Sequence, residues 1–145
     1  MSVAVAIRTN SSGIGSGGQP LIEKHAKTLH IFFSVTLTNG ATNYPTGGEA
    51  LDLTALFGAA GLPGYSFPLA SLPEKVELAS VKPTSGAQTN LFVYNYVPGT
   101  TLANGKLQVF TGAAAQTALT ELTAGNYPAG VLNDTIVGEA YFAIP

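Results

Sequence analysis

The chain is poor in several residue types that usually stabilise or functionalise a small domain. Its 145 residues include no cysteine and no tryptophan, and only 10% are Asp, Glu, Lys or Arg, against about 25% in typical soluble domains. Disulfides and thiolate metal ligands are therefore excluded, so stability has to come from a packed core and from association. With 46% apolar residues, the chain exposes an uncharged Thr, Ser, Asn and Gly surface, covers surface with partner molecules, or does both.

The sparse charges argue against nucleic acid as a partner. The net charge is −2 and the six basic residues are scattered singly, whereas phosphate binding relies on clustered Lys and Arg. Apolar runs stay well short of the ~18 residues of a membrane span, and the N-terminus lacks the charged start, apolar core and cleavage site of a secretion signal. We therefore expect no membrane partner and synthesis in the cytosol.

Alternation of apolar and polar residues predicts strands through most of the chain. Between residues 28 and 38, one face is entirely apolar: Leu29, Ile31, Phe33, Val35 and Leu37. Residues 2 to 8 and 134 to 144 alternate in the same way, and residues 75 to 82 change phase, which predicts a β-bulge. With frequent turn residues and no sustained helix, the pattern favours an all-β fold, a jelly-roll-like antiparallel β-sandwich of seven or eight strands.

The organisation predicted from composition is one domain preceded by an arm. Residues 9 to 20 read TNSSGIGSGGQP, a Gly/Ser-rich stretch with too few apolar side chains to pack a core. Over residues 1 to 20 we predict a flexible N-terminal arm, or a strand followed by a Gly/Ser-rich loop. Residues 21 to 145 are predicted to form a single β-sandwich domain. Residues 112 to 123 stay ambiguous, because their apolar spacing fits a short helix while their threonines fit an extended edge segment.

Residues 89 to 111 predict a β-hairpin. They read TNLFVYNYVPGTTLANGKLQVFT, in which Val, Phe, Tyr and Thr suit a strand. Asn104 and Gly105 readily adopt the positive φ of a tight reversal.

The first strand of this hairpin is apolar on both sides. Its alternating residues form one aromatic face with Phe92, Tyr94 and Tyr96, and an opposite face with Leu91, Val93 and Val97. One face has to be core. The other is covered by a loop of the same chain, is covered by another subunit, or serves as a carbohydrate platform.

A glycine motif and two histidines are the features that come closest to a cofactor-binding, metal-binding or catalytic site. The glycines of GIGSGG fit the spacing of a dinucleotide-binding loop, but Pro20 and a strand follow where that fold has a helix and an acidic residue. His25 and His30 are the only histidines, and Glu23 is close to His25 in the sequence. Strand alternation places His30 on the outer face, which favours a solvated or interface histidine over a metal ligand or general base. We expect no enzymatic activity, metal, cofactor or small-molecule substrate.

Three stretches carry a resemblance to a known family. GGEALDL at residues 47 to 53, the aromatic strand with its turn ending in NGKLQVF, and the C-terminal DTIVGEAYFAI resemble the small jelly-roll head decoration (cement) proteins of tailed bacteriophages. The resemblance covers roughly the C-terminal two thirds of the chain and excludes the segment up to Gln19.

The resemblance implies a structural virion protein made in the host cytoplasm. Such a protein binds the major capsid protein on the outer surface of the assembled capsid, commonly as a homotrimer, and reinforces the shell. Alternatives are a receptor- or glycan-binding module of a phage fibre or tail, and a jelly-roll enzyme without visible motifs. We expect assembly through the aromatic face or its neighbours and through the arm docking on an adjacent subunit. The predicted interface residues are Val3, Val5, Ile7, Phe92, Tyr94 and Tyr96.

Overall fold

The protein is a two-layer β-sandwich, which confirms the predicted all-β class. The computed structural model describes residues 3–8, 22–25, 27–37, 43–57, 72–81, 92–112, 118–132 and 134–143. Within these residues there are nine strands, one short α-helix and two 3-10 helices, Leu53–Leu56 and Leu102–Asn104. The strands and the α-helix are β1 (Val3–Ile7), β2 (Ile22–His25), β3 (Thr28–Leu37), β4 (Glu49–Leu51), β5 (Lys75–Val81), β6 (Phe92–Val97), β7 (Gly105–Thr111), β8 (Thr120–Glu121), α1 (Ala129–Leu132) and β9 (Thr135–Ala143).

The first sheet is antiparallel and is built around β3. Its strand order is β1-β3-β9-β5, and β2 also pairs with β3. β1 lies against residues 33 to 37 of β3, whereas β2 lies against residues 28 to 31 of the same strand. Two short strands thus share one edge position of this sheet.

β1 and β2 continue each other along that edge. The backbone N–H of Arg8 donates to the carbonyl of Phe32 at 2.9 Å, and Ile22 is paired with the next residue of β3, Ile31. The register therefore passes from one strand to the other without a gap, although residues 9 to 21 separate them in the sequence.

The pairing of β1 bears on the two arrangements predicted for residues 1 to 20, an arm or a strand followed by a loop. The alternation of residues 2 to 8 predicts a strand, and Val3–Ile7 is a strand of the protein's own first sheet. The physical reason is its alternation, because every second side chain of β1 is half-buried against the core. The Gly/Ser-rich residues 9 to 20 lie outside the described residues.

The second sheet has the order β4-β7-β6, with β8 also paired to β7. The predicted hairpin is confirmed, since β6 and β7 pair from Phe92 opposite Thr111 to Val97 opposite Lys106. β8 shows that residues 120 and 121 of the ambiguous segment are extended. Residues 113 to 117 of that segment lie outside the described part of the chain.

The reversal of the hairpin differs from the predicted tight Asn-Gly turn. The chain turns through a short 3-10 helix, Leu102–Asn104, and Gly105 has a φ of −64°, so the prediction of positive φ at this turn is wrong. The Asn104 side chain stabilises the turn instead, since its oxygen accepts the Thr101 N–H at 2.9 Å. Gly105 is needed for space, because a Cβ there would lie 2.5 Å from the Tyr96 ring.

A further correction concerns β5. It pairs with β9 in one continuous register, from Lys75 opposite Tyr141 to Val81 opposite Thr135, so the predicted β-bulge is wrong. Val76 and Leu78 are half-buried against the core, whereas Ala79 is exposed. Because alanine is small and is tolerated on either side of a strand, its apolar character does not require a change of phase.

The core lies between the inner faces of the two sheets. The apolar face predicted for β3 is confirmed, because all five of its side chains are buried. Burying each such side chain contributes about 1.5 to 3 kcal/mol. Inner side chains of β6, β7 and β9 complete the layer, and Gly138 makes room for the Phe33 ring. The outward-facing side chains of both sheets are therefore the ones available to contact other molecules.

Candidate interaction surfaces

The aromatic face predicted as an interface lies largely inside the molecule. Phe92 is 8% exposed and Tyr94 is 5% exposed, both within the core, and Tyr96 is half-buried against it. β6 directs these rings to the first sheet rather than to solvent, so assembly through this face or its neighbours stays a prediction. Val3, Val5 and Ile7 are likewise half-buried on their own core.

The outer face of the first sheet carries a line of polar and aromatic side chains from four strands. Glu23 of β2, His30 of β3, Tyr141 of β9 and Lys75 of β5 lie directly opposite one another in register. We call these four residues the polar row. The His30 ring stacks on the Tyr141 ring at 4.2 Å between centroids, with 16° between planes. Lys75 Nζ lies 5.8 Å from the Tyr141 centroid.

His30 is the most enclosed member of the polar row. It is 8% exposed, and its ring also lies 4.2 Å from that of Phe32. Its Nδ1 is 3.8 Å from Glu23 Oε2 and its Nε2 is 3.3 Å from Glu139 Oε2. The Nε2 contact is close but lacks hydrogen-bond geometry, so this buried atom has no hydrogen-bond partner among the described residues. The predicted outward position of His30 is confirmed. Of its two predicted surroundings, solvent is wrong because the neighbouring rings cover the imidazole, and an interface stays a prediction.

A second line of side chains adjoins the polar row. Phe32, Glu139 and Glu77 are opposite one another in register, and like charges in opposite positions are mildly destabilising. Both carboxylates have local partners, since Lys75 contacts Glu77 at 2.7 Å and the Tyr141 hydroxyl donates to Glu139 at 3.1 Å. The hydrogen bond and charge of Glu77 raise the pKa of Lys75, and desolvation together with Glu139 raises the pKa of Tyr141.

The histidines and carboxylates of this face do not converge on one point. His25 is exposed and its Nε2 lies 3.5 Å from Glu23 Oε2. In the described ranges, no group of three or more His, Cys, Asp or Glu residues is arranged to hold a metal ion. Across the same ranges, no helix is long and apolar enough to cross a membrane. The observed role of the polar row is to link four strands through charge and ring contacts.

The outer face of the β6–β7 hairpin in the second sheet carries little charge. Val93, which is 37% exposed, is opposite Phe110, and Asn95 is opposite Gln108, with 3.3 Å between the two amide groups. Lys106 is the one charged side chain of β6 and β7, and Glu121 of β8 lies opposite Phe110 and accepts a hydrogen bond from Gln108 Nε2 at 3.3 Å. We call the outward-facing residues of these two strands the neutral face: Val93, Asn95, Val97, Lys106, Gln108 and Phe110.

Tyrosine hydroxyls bind several of the chain's few carboxylates. Three such bonds involve buried rings: Tyr44 to Glu121 at 2.8 Å, Tyr94 to Asp134 at 2.7 Å and Tyr127 to Glu49 at 2.8 Å. Burial, with a smaller contribution from Glu121, raises the pKa of Tyr44 to about 12. Burial and the bonded carboxylate raise the pKa of Tyr94 and Tyr127 as well. Counting Glu139, four of the eight acidic residues accept a tyrosine hydroxyl.

Sequence reasoning missed the polar row, although each strand was recognised. Alternation placed His30 and Tyr141 on outward faces, which was the available signal. Their alignment with Glu23 and Lys75 depends on the register among four strands, which alternation within single strands does not specify.

Comparisons with family models, curated proteins and solved structures give no match to this chain. The resemblance to head decoration proteins therefore depends on the three sequence stretches alone.

Proposed function

We propose that this chain is a structural virion protein that binds and stabilises the outer surface of an assembled phage capsid. The proposal includes a jelly-roll relationship for the sandwich, the major capsid protein as partner, a homotrimer and a location on the virion surface. It also includes the lack of catalysis, cofactors and small-molecule substrates. The sequence resemblance is its first support, and the neutral face is the observation that carries it.

The neutral face has the composition of a contact surface. Val93, Val97 and Phe110 offer apolar area, while Asn95 and Gln108 satisfy part of each other's hydrogen-bonding capacity. Covering such a face requires the desolvation of Lys106 and of Glu121 at its margin, whose carboxylate already accepts hydrogen bonds from Tyr44 and Gln108. Desolvation of charge is a large penalty in forming an interface, and two charged groups keep it small here. The polar row on the opposite sheet would carry a larger penalty, so we assign the neutral face to the capsid and the polar row to solvent.

Binding to the assembled lattice would stabilise it by mass action. A protein that binds the assembled shell but not its free subunits adds about 2.7 kcal/mol per site when its free concentration is 100 times the dissociation constant. Reinforcement of the shell by this mechanism requires binding only and no catalytic step.

Co-sedimentation with expanded, undecorated capsids of the phage that encodes the chain tests the proposal. We expect saturable binding at a fixed copy number per lattice site. Val93→Asp, which buries a charge in the contact, should weaken binding at least tenfold, equivalent to about 1.4 kcal/mol. Ala79→Asp is the matched control, because Ala79 is also an exposed apolar residue but lies on the outer face of the first sheet.

Two results would contradict the proposal. Absence of saturable binding by the native protein would remove the capsid function, and specific binding to glycans in its place would favour a fibre or tail module. Equal losses from Val93→Asp and Ala79→Asp, with both variants folded by circular dichroism, would remove the neutral face as the contact.

A further inference from the structure

The edge of the first sheet contains an interruption that the fold itself does not require. Arg8 and Ile22 are bound to successive residues of β3, Phe32 and Ile31. Successive residues of a strand are about 3.4 Å apart, so no additional residue is needed to continue from β1 to β2. The sequence nevertheless places thirteen residues there, 9 to 21.

The inserted segment is long relative to the domain. Thirteen residues can span about 45 Å when extended, whereas a globular chain of this size has a radius of gyration of about 15 Å. The segment includes four glycines and three serines, the composition of flexible linkers. Its length therefore allows β1 to reach a β3 strand on a neighbouring copy as well as its own.

β1 is also suited to exchange as a unit. It has five residues and pairs with one strand, β3, among the described residues. Its alternate side chains Val3, Val5 and Ile7 are only half-buried, and they pack at the margin of the core rather than through it. Removing β1 would expose the edge of residues 33 to 37 and some apolar area, which a β1 strand from a second copy would cover with the same contacts.

We propose that β1 is exchanged between copies of this chain, so that β1 of one copy pairs with residues 33 to 37 of β3 in another. The five register pairs and the half-buried contacts are the same in the exchanged and unexchanged forms. Reciprocal exchange closes a dimer, and cyclic exchange closes a trimer. The low net charge of −2 places little repulsion between the copies. This inference is independent of capsid binding, because it is tested on the purified protein.

Two single-cysteine variants test the exchange in a chain that has no native cysteine. Ala6 and Ser34 are opposite each other on β1 and β3, and directly paired residues of antiparallel strands have the Cα separation that a disulfide accepts. Equal amounts of Ala6→Cys and Ser34→Cys chains, one of them tagged, are unfolded, refolded together and oxidised. Only exchanged β1 brings the two cysteines opposite each other, because neither chain contains both.

We expect a disulfide between the two different chains, mapped by mass spectrometry of the product from a non-reducing gel. Its yield should be at least tenfold higher than from a matched mixture in which Ala79→Cys replaces Ser34→Cys. Ala79 is exposed on the same sheet face, but it lies on β5 rather than opposite β1. Equal yields from the two mixtures would overturn the proposal.

Deletion of residues 9 to 21 from both chains supplies the linker control. Arg8 then joins Ile22 directly and the register on β3 is kept, so β1 and β2 become one strand that stays on its own chain. The cross-linked product should fall to the level of the matched mixture. Persistence of the product in a folded deletion variant would contradict exchange through the linker. If that variant does not fold, the two full-length mixtures decide the question by themselves.

Discussion

The two outward faces of the sandwich differ in the kind of residue that occupies them. The first sheet collects charge and rings in the polar row and its neighbours, including three of the chain's eight acidic residues, Glu23, Glu77 and Glu139. The second sheet presents the neutral face, where β6 and β7 have Lys106 as their one charge and Glu121 of β8 lies at the margin beside Phe110. The first sheet therefore carries more outward-facing charge than the β6–β7 hairpin, which leaves the hairpin easier to desolvate.

The difference also separates two uses of tyrosine. Buried Tyr44, Tyr94 and Tyr127 donate hydrogen bonds to carboxylates at the margins of the core. Tyr141 instead stands on the outer face, where it stacks on His30. The buried tyrosines therefore connect the core to nearby carboxylates, whereas Tyr141 connects side chains on the outer face of the first sheet.

The largest effect should come from alkaline pH acting on the buried tyrosines. Burial raises the pKa of Tyr44 to about 12 and raises that of Tyr94 and Tyr127 above the ordinary value. The folded state then holds these protons more tightly than the unfolded state, in which tyrosine has a pKa near 10. Their contribution is complete below about pH 10 and is lost as the pH rises further. Urea unfolding at a series of pH values should show this fall, with tyrosinate absorbance rising as the protein unfolds. Constant stability from pH 9 to 12 would contradict it.

His30→Ala should produce the next largest effect and tests whether the polar row contributes to stability. It removes a buried ring packed between Phe32 and Tyr141, so we expect a loss of about 1 to 3 kcal/mol in the free energy of unfolding. His25→Ala is the matched control, since the side chain of His25 is 71% exposed and should change stability by less than about 0.5 kcal/mol. Equal effects in urea denaturation would show that the polar row is only a surface feature.

Two Tyr→Phe substitutions compare the hydroxyl of an interior tyrosine with that of a surface tyrosine. Tyr94→Phe removes the bond to Asp134 from a buried position and should cost about 1 to 2 kcal/mol. Tyr141→Phe keeps the stacked ring and removes only the bond to Glu139 on the outer face, so its loss should be clearly smaller than that from Tyr94→Phe. Thermal denaturation of both variants measures the difference. A larger loss from Tyr141→Phe would reverse the roles assigned to the two positions.

The smallest effect concerns the exposed ion pair at the end of the polar row. Lys75 contacts Glu77 at 2.7 Å with both side chains largely in solvent, and such pairs contribute little to stability. Lys75→Ala should therefore lower stability slightly at low salt, and the loss should disappear in about 1 M salt because the charges are screened. Lys106→Ala on the neutral face is the control, since it removes a charge outside this pair. A loss from Lys75→Ala that is equally large at low and high salt would contradict the assignment of an exposed pair.

The sequence predicts what depends on alternation alone. It identifies the all-β class, the buried face of β3 and the β6–β7 hairpin, because the period of two and the turn residues are local properties. It does not decide which face of β6 is the inner one, because both faces are apolar and the choice depends on packing against the first sheet. It also fails at Asn104, because the 3-10 turn is stabilised by side-chain bonds to Thr100 and Thr101.

The polar row and the shared edge of β1 and β2 could not be predicted for a different reason. Both arise from the register between strands that are distant in the sequence, such as Glu23 with His30 and His30 with Tyr141. A Gly/Ser-rich segment after β1 is compatible with an arm or with a long connection within one sheet edge. Only the pairing of Ile22 with Ile31 distinguishes between these arrangements.

A reconstruction by electron cryomicroscopy of capsids incubated with this protein would test the central claim most directly. The claim is that the neutral face contacts the capsid while the polar row faces solvent. We expect the sandwich to be oriented with Val93 and Phe110 against the capsid protein, and with His30 and Tyr141 on the outer side. An orientation with the polar row against the shell, or the absence of added density on saturated capsids, would contradict the account.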